Sequence, residues 1–363
     1  MTTALLFIAI LVFLIVVHEL GHFIAAKFFG IRVDEFGVGY PPRAVLITKM
    51  GDTEYTLNWI PFGGFVRLFG EDEGTEHGAR SFVDAAWWKQ AIVLVAGVAV
   101  NALAAWLLFA GALYVGVPRV VDSQAPGNSA RLIVSDVVPG SPADAAGVKP
   151  GDRILSAVDQ RGVGLDQLTP GGVRSYIKER AGQRVSIEYV HNKATTTASI
   201  IPANAVIPNA AGTPALGIGL VLVSDLALPL PEAIKVSLTD TKKAFEAVTH
   251  SLWGMIVNAS HGKADLSNIV GPIGLVGVVD EASHTGFGQV LKLAGFIAVN
   301  LAIINLIPIP VLDGGRLVIV FLEALSGRRA PQLVVQILNT LGIVLIILLM
   351  VAVTYQDIAR LLI

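Results

Sequence analysis

Two histidines and a glutamate near the start of the chain have the residue types and spacing that zinc-dependent hydrolysis requires. They form His18-Glu-Leu-Gly-His22, which matches the pattern H-E-x-x-H. On an α-helix each residue advances by about 100°, so His22 lies about 40° from His18 one turn later, and both imidazoles can reach one metal ion. Glu19 lies about 60° from His22 on the flank of the same face, where it can act on a water without binding the metal. Gly21 lies on the other flank and would allow a helix or strand to approach closely.

This motif interrupts a long apolar segment. The chain is apolar from Ala4 to Val17 and continues as an apolar-rich helix to about Phe29. Ionisable residues at membrane depth are costly and usually functional. The alternative is a structural role, in which these side chains only hydrogen-bond a neighbouring span. Because three ionisable groups lie together, the pattern favours a metal site inside a membrane.

A catalytic zinc ion needs a third protein ligand and an open position for water. The chain contains no cysteine, so this ligand must be a histidine, an aspartate or a glutamate. Asp313 is the preferred candidate. The remaining histidines read as loop or surface positions, namely His77, His191, His250, His261 and His284.

Asp313 follows a predicted break in a membrane helix. Pro308 and Pro310 end that helix, because proline lacks an amide donor and disfavours helix before it. Irregular backbone at membrane depth persists only inside protein or beside a wet cavity. A break followed by an acidic residue and two flexible glycines therefore suits a ligand turned toward the first helix. The alternative is a simple turn between two spans, since Asp-Gly favours turns.

The composition indicates a chain that is largely embedded in lipid. Of its 363 residues, 53% are hydrophobic and 15% are charged. In soluble domains about a quarter of the residues are charged. The formal net charge of -2 gives no sign of nucleic-acid binding. The predicted partner is a lipid bilayer, and the predicted transmembrane helices are 1–30, 91–117, 290–316 and 333–356.

The basic residues of the short loops indicate an orientation. The positive-inside rule places both basic loops in the cytoplasm and both termini outside. With four spans, the middle of the chain then also lies outside. The residues that decide this are Lys27, Arg32, Arg43, Lys49, Arg67, Arg80 and Lys89 in the first loop, with Arg316, Arg328 and Arg329 in the last.

The segment 31–90 contains β-rich runs on the cytoplasmic side. Arg43–Lys49, Thr53–Trp59 and Gly64–Phe69 are separated by turn residues. We predict a small membrane-associated sheet beside the first helix. An unwound substrate could add to its edge as a strand, and the candidate edges are Thr53–Trp59 and Gly63–Leu68.

The segment 120–223 is soluble in character. Its sequence Pro139-Gly-Ser-Pro-Ala-Asp-Ala-Ala-Gly-Val-Lys-Pro-Gly-Asp-Arg-Ile154 resembles the signature of PDZ domains in bacterial proteases. In the following segment, 230–285, apolar residues recur at helical spacing with lysines between them. This favours an amphipathic helix on the outer membrane surface, or alternatively a helix packed on the PDZ-like domain.

Taken together, these motifs resemble the site-2 protease family of intramembrane zinc metalloproteases, in particular its bacterial RseP-like branch. The resemblance extends to Phe36-Gly-Val-Gly39 and Gly271-Pro-Ile-Gly274 and so covers nearly the whole chain. It implies a polytopic α-helical membrane protein with about four transmembrane helices, a small β-sheet and one extracytoplasmic PDZ-like α/β domain. A well-known enterobacterial member has two tandem PDZ domains, whereas this chain has one.

The resemblance also implies roles for individual residues. His18, His22 and Asp313 would bind Zn2+, and Glu19 would be the catalytic base. Asn305 would lie near the substrate or its oxyanion, with Pro308 and Pro310 also in contact with substrate.

The activity implied is hydrolysis of a peptide bond in or near the transmembrane segment of a single-pass protein in the bacterial cytoplasmic membrane. That substrate would be an anti-sigma factor, another regulator or a signal-peptide remnant, trimmed beforehand by another protease. The PDZ-like domain would bind extended segments or exclude bulky substrates. A metal transporter or an inactive relative is the alternative class, but the chain shows no inverted repeat and the motif is complete.

Overall fold

The computed structural model describes residues 2–71, 78–121, 130–191, 194–204, 213–261 and 271–362. In these ranges the helices, in chain order, are α1 (Thr2–Phe28), α2 (Trp87–Val115), α3 (Pro142–Ala145), α4 (Pro170–Lys178), α5 (Leu230–Ser260), α6 (Pro272–Thr285), α7 (Phe287–Leu306), α8 (Asp313–Ser326) and α9 (Gln332–Leu362). The strands are β1 (Val33–Met50), β2 (Thr53–Leu68), β3 (Val117–Val120), β4 (Arg131–Val137), β5 (Arg153–Asp159), β6 (Val185–His191), β7 (Ala194–Ile200) and β8 (Ile218–Leu226).

The chain divides into two compact units. The first comprises Met1–Val115 and Leu228–Ile363, and the second is Gly116–Ala227. The chain leaves the first unit and re-enters it at neighbouring points, because the amide of Leu228 donates to the carbonyl of Leu113 at 2.9 Å. The second unit is therefore an insertion into the first.

Within the described residues, four helices are long and apolar enough to cross a bilayer, as predicted: α1, α2, α7 and α9. Their bounds differ from the predicted ones by a few residues, with α2 beginning at Trp87 and α7 at Phe287. The predicted span 290–316 is helical only to Leu306 and resumes as α8 at Asp313. The prolines at 308 and 310 explain the interruption, because neither can donate a helical hydrogen bond. The last helix extends to Leu362, beyond the predicted end at 356.

Helices α1 and α2 pack with their backbones close together at Gly21. A Cβ atom added at Gly21 would lie 2.5 Å from the carbonyl oxygen of Ala96 and 2.9 Å from Cα of Gly97. No side chain fits that space, so glycine at this position brings the two helices into contact. The prediction of a close approach beside the H-E-x-x-H motif is confirmed.

The β-rich segment forms one antiparallel sheet from two long strands, and not three short runs. The pairing divides each strand into two parts, β1 near residues 41–42 and β2 near residues 61–63, so the sheet has four strand segments. Residues 35–38 pair with 54–57 on one side, and residues 33–38 pair with 64–68 on the other, while 43–50 pair with the far side of 53–58.

This order decides between the two candidate edges for an added strand. Thr53–Trp59 is flanked by paired segments on both sides, so its prediction as an edge is wrong. Residues 64–68 pair only with β1 among the described residues, so they form an edge of the sheet.

The second unit is the predicted PDZ-like α/β domain. Its six described strands have the order β3-β8-β4-β5-β6-β7. Apolar residues from the sheet and from α4 form its core, including Leu132, Ile154, Ile177, Ile187 and Leu222.

Helices α5 and α6 account for the described part of 230–285. Helix α5 packs on α2 and α7, and its Val248 lies in one core with Ala105 and Val290. Helix α6 is connected to α9 through Asp357, whose carboxylate accepts hydrogen bonds from the amides of Gly271 and Gly274 at 3.0 and 2.8 Å. The membrane-surface position of α5 stays a prediction.

Candidate metal centre

Helix α1 places two imidazoles on its face toward α2. His18 and His22 are each 7% exposed, and their Nε2 atoms are 3.1 Å apart. Nδ1 of His22 lies 2.8 Å from the carbonyl oxygen of Val93 in α2. A carbonyl only accepts, so Nδ1 of His22 carries the proton and Nε2 keeps its lone pair.

The interruption between α7 and α8 brings Asp313 to these imidazoles. Oδ2 of Asp313 lies 3.0 Å from Nε2 of His18 and 3.3 Å from Nε2 of His22. The connecting residue Val311 has φ 86°, a left-handed conformation that is uncommon for a β-branched residue. The chain therefore turns sharply to place the carboxylate there.

The two glycines after Asp313 act by close packing, and the prediction that they provide flexibility is wrong. Both lie in the first turn of α8 and are buried. A Cβ atom at Gly314 would lie 2.3 Å from the carbonyl oxygen of Leu306, and one at Gly315 would lie 2.2 Å from that of Ile309. The absence of side chains lets α8 fold back against the end of α7.

The chemistry of these three residues fits a zinc ion. Their ligand atoms all lie within 4.8 Å of one another. Oδ2 of Asp313 is buried and accepts no hydrogen bond of acceptable geometry from the described residues. The lone pairs of two imidazoles and one carboxylate converge here, and one carboxylate oxygen is unsatisfied. Three protein ligands of these types are typical of a catalytic zinc site.

Glu19 lies on the side of α1 that faces the sheet edge. A Cβ atom added at Gly64 would lie 3.6 Å from Cγ of Glu19 and 3.8 Å from Cγ2 of Val16. The edge segment 64–68 therefore runs beside the glutamate, and the tight contact at Gly64 is with the carbonyl oxygen of Gly37, 3.0 Å from the added Cβ atom. A chain added at this edge would lie close to both Glu19 and the ligand cluster.

Asn305 reaches the cluster from the last turn of α7. Its Nδ2 lies 3.3 Å from Nε2 of His18. Pro308 and Pro310 lie in the link between α7 and α8. The carbonyl oxygen of Pro310 faces Gly342 of α9, where a Cβ atom would be only 2.3 Å away. Pro310 therefore has a packing contact, and substrate contact by either proline stays a prediction.

Of the described histidines, only His18 and His22 belong to this group of ligand atoms. Nδ1 of His191 pairs with Asp152 at 2.6 Å inside the PDZ-like domain. His284 lies beside Asp280 on α6. His250 and His261 are exposed on or just after α5, and His77 lies outside the described residues.

Sequence reasoning did not identify the part that α2 plays in the centre. Val93 contacts His22, Asn101 contacts His18, and Gly97 lies against both imidazoles. Asn101 is fully buried at membrane depth. A polar residue inside an apolar span is a functional signal, so this asparagine could have been noticed.

An ion pair connects α8 to the end of the sheet. Arg316 pairs with Glu71, and Oε2 of Glu71 accepts from the amide of Leu68 at 3.0 Å. The guanidinium also lies over the ring of Phe82, 5.9 Å from its centroid. The helix that begins with Asp313 is in this way held to the strand that borders Glu19.

Comparisons with known proteins identify the family to which the chain belongs. The family model described as peptidase family M50 matches residues 6–349. A Clostridium perfringens protein that carries a zinc metalloprotease name is 32% identical over 345 residues, which cover 95% of each chain. The zinc metalloprotease RasP of Oceanobacillus iheyensis is 26% identical over 99% of this chain and 100% of its own.

Among solved structures, the PDZ domain of the SdrC-like protein from Listeria monocytogenes matches 28% of this chain and 93% of its own. The identity is 24% and the TM-score is 0.20. So low a score adds nothing to the description of the second unit.

Proposed function

Since the chain belongs to peptidase family M50 and is a membrane-embedded zinc metalloprotease of the site-2 type, we propose that it hydrolyses a peptide bond within or near the transmembrane segment of another membrane protein. The observation that supports this most directly is the convergence of His18, His22 and Asp313 between helices that are apolar enough to span a bilayer. A substrate that reaches this centre has to enter from the lipid or from an interface next to it.

His18, His22 and Asp313 are the proposed ligands. Zinc bound there supplies a Lewis acid that polarises the scissile carbonyl and activates a water. The burial of the two histidines keeps competing water away from the ligand atoms. Asp313 contributes the negative charge that two neutral imidazoles lack.

Glu19 is the proposed general base and general acid. It follows His18 directly, so it shares the cluster without supplying one of the three ligand atoms. It would take the proton of the attacking water and return it to the leaving nitrogen. Asn305 would donate a hydrogen bond from Nδ2 to the oxygen on which negative charge develops.

The edge segment 64–68 is the proposed docking strand for the unwound substrate. A substrate helix hides its peptide groups in its own hydrogen bonds, so it has to become extended before cleavage. An extended segment added to this edge would have its backbone bonds satisfied. It would also run beside Glu19, because Gly64 of this edge lies next to that side chain.

The PDZ-like domain is proposed to select substrates on the outer side of the cytoplasmic membrane. Strand β8 pairs with β4 along residues 218–223 and with β3 only from residue 223 onward. Residues 218–221 of β8 pair with β4 on one side only. Their other side, next to α4, pairs with no described strand. This edge suits the binding of an extended segment, and exclusion of untrimmed substrates is the alternative.

The test of the proposed function is cleavage of a tagged single-pass substrate in membranes. We expect Glu19→Gln to retain zinc and lose cleavage by about 100-fold or more, since a positioned acid–base group contributes about 10²–10⁴-fold. Asp313→Asn should lose both zinc and cleavage. The matched control is Glu281→Gln, at an exposed glutamate of α6.

Undiminished cleavage by Glu19→Gln would remove this residue as the base. If zinc stayed bound with unchanged affinity in Asp313→Asn, the proposed ligand set would be wrong.

A further inference from the structure

The face of α2 toward the metal centre has three successive contacts, one turn apart. Val93, Gly97 and Asn101 are spaced four residues apart, so they lie on one face of the helix. Val93 offers its carbonyl oxygen to Nδ1 of His22 at 2.8 Å. At Gly97 a Cβ atom would lie 2.4 Å from Nε2 of His22 and 2.7 Å from Cε1 of His18. Asn101 follows one turn later and lies beside Nδ1 of His18.

Asn101 is fully buried and faces the second nitrogen of His18. Its Nδ2 lies 3.3 Å from Nδ1 of that imidazole. Its Oδ1 is buried and has no hydrogen-bond partner in the described part of the chain. A buried amide oxygen without a partner is unusual, because nearly all such atoms are satisfied in folded proteins.

The orientation of the His18 ring indicates which atom of the Asn101 amide should face it. Its Nε2 faces Asp313 and His22, so Nε2 supplies the lone pair for a metal. A neutral imidazole has one donor and one acceptor nitrogen, so Nδ1 then carries the proton and needs an acceptor. A half-turn of the Asn101 amide about its Cβ–Cγ bond exchanges Oδ1 with Nδ2. The oxygen then accepts the Nδ1 proton of His18, and the Nδ2 group takes the place in which Oδ1 has no described partner.

We propose that Asn101 is a positioning residue of the metal centre, whose side-chain oxygen accepts the Nδ1 proton of His18 and thereby sets zinc affinity. Metal-binding histidines usually donate their other N–H to an oxygen that fixes the tautomer and ring orientation. Val93 does this for His22 with a backbone carbonyl, and Asn101 does it for His18 with an amide. The inference rests on the proposed role of His18 as a ligand.

The experiment measures zinc affinity of the full chain in detergent by competition with a chelator of known affinity, without a cleavage assay. Asn101→Leu has a similar size and no acceptor, and we expect it to bind zinc about 10–100-fold more weakly. Asn101→Asp is an acceptor only, and we expect it to bind at least as tightly as the wild type. The control is Asn300→Leu, because the Asn300 amide bonds within α7 to the carbonyl of Phe296.

Thermal unfolding of the chelator-treated proteins separates positioning from packing. For a positioning role, the metal-free Asn101→Leu protein keeps the wild-type Tm, and only the rise in Tm on adding zinc becomes smaller. A lower metal-free Tm with unchanged zinc affinity would show a packing role and overturn the proposal.

Asn101→Asp binding no more tightly than Asn101→Leu would also overturn it, since an acceptor would then not matter. If Asn101→Leu does not fold, Asn101→Asp decides alone, by keeping or losing wild-type affinity. His18→Ala tests the proposed ligand set separately. Zinc affinity that survives that change would remove the ligand set and with it this inference.

Discussion

At the scale of residues, the metal centre depends on both the groups that are present and a side chain that is absent. His18, His22 and Asp313 bring their lone pairs together. Gly97 lies directly beneath the two imidazoles, where a methyl group would collide with both. A glycine in the middle of a membrane helix lowers helix stability, so close approach to the ligands is the physical reason for it here.

We predict that Gly97→Ala weakens zinc binding and cleavage together. The added Cβ atom would lie 2.4 Å from Nε2 of His22, so either α2 or the imidazoles have to move. Overpacking of this kind costs about 1–3 kcal/mol, or roughly a 5- to 150-fold loss of affinity if the whole cost falls on the bound state.

Gly111→Ala on the same helix is the control for this substitution. Its Cβ atom would make an ordinary contact of 3.5 Å with Cδ1 of Leu291. Wild-type zinc affinity in both variants would mean that α2 is free to move away from the ligands.

At the scale of elements, the sheet edge and the helix α1 together form a place for an extended chain. In β2 the amide of Leu68 donates to Glu71 at 3.0 Å and not to β1. Because amides alternate sides along a strand, Val66, two residues earlier, presents its amide on the same outer side. An added strand would bond to this amide.

We predict that Val66→Pro reduces cleavage at least tenfold while zinc stays bound. Proline removes the amide that an added strand needs, but it removes no bond to β1. Val66→Ala keeps the amide and shortens the side chain, and it is the matched control. The measurement is cleavage and zinc content of the same preparations.

Normal cleavage by Val66→Pro would exclude strand addition at this edge. Loss of cleavage in both variants would instead indicate that the valine side chain, and not its amide, is needed.

The connection between α8 and the sheet belongs to the same scale. Arg316 and Glu71 join the helix that supplies Asp313 to the strand that would hold the substrate. The proposed ligand and the proposed docking strand are thus connected by this ion pair, which agrees with the need to hold a scissile bond close to a metal.

At the scale of the whole molecule, the PDZ-like domain is an insertion that the chain enters and leaves at one place. Leu113 and Leu228 are hydrogen-bonded to each other in the first unit. Val117 and Leu226 are paired in the second. The first unit, with its four candidate membrane spans, its sheet and the candidate metal centre, is therefore continuous across the insertion.

We predict that deletion of residues 117–226, with Gly116 joined directly to Ala227, leaves zinc affinity unchanged. The three proposed ligands all lie in the first unit, and the deletion joins neighbouring points of the chain. Cleavage of trimmed and untrimmed forms of one substrate is the readout for the domain itself. Faster cleavage of the untrimmed form would indicate exclusion, and slower cleavage of both would indicate binding.

Loss of zinc on this deletion would contradict the division into two units. Unchanged cleavage of both substrate forms would show that the domain selects neither.

The amino-acid sequence by itself determined the features that depend on local periodicity and chemistry. The apolar runs indicated the four spans, and the H-E-x-x-H spacing placed two imidazoles on one helix face. The absence of cysteine and the proline break pointed to Asp313, whose carboxylate the structure places beside both histidines.

Only the tertiary structure decided which distant segments meet. Asn101 and Asn305 are 83 and 287 residues from His18, and both lie 3.3 Å from its ring nitrogens. The order of the sheet made residues 64–68 an edge and Thr53–Trp59 an interior strand. Helical and strand periods specify which face of an element is apolar, but not which element covers it. That depends on close packing at glycines such as Gly21, Gly64 and Gly97, whose role shows only when the opposing atoms are known.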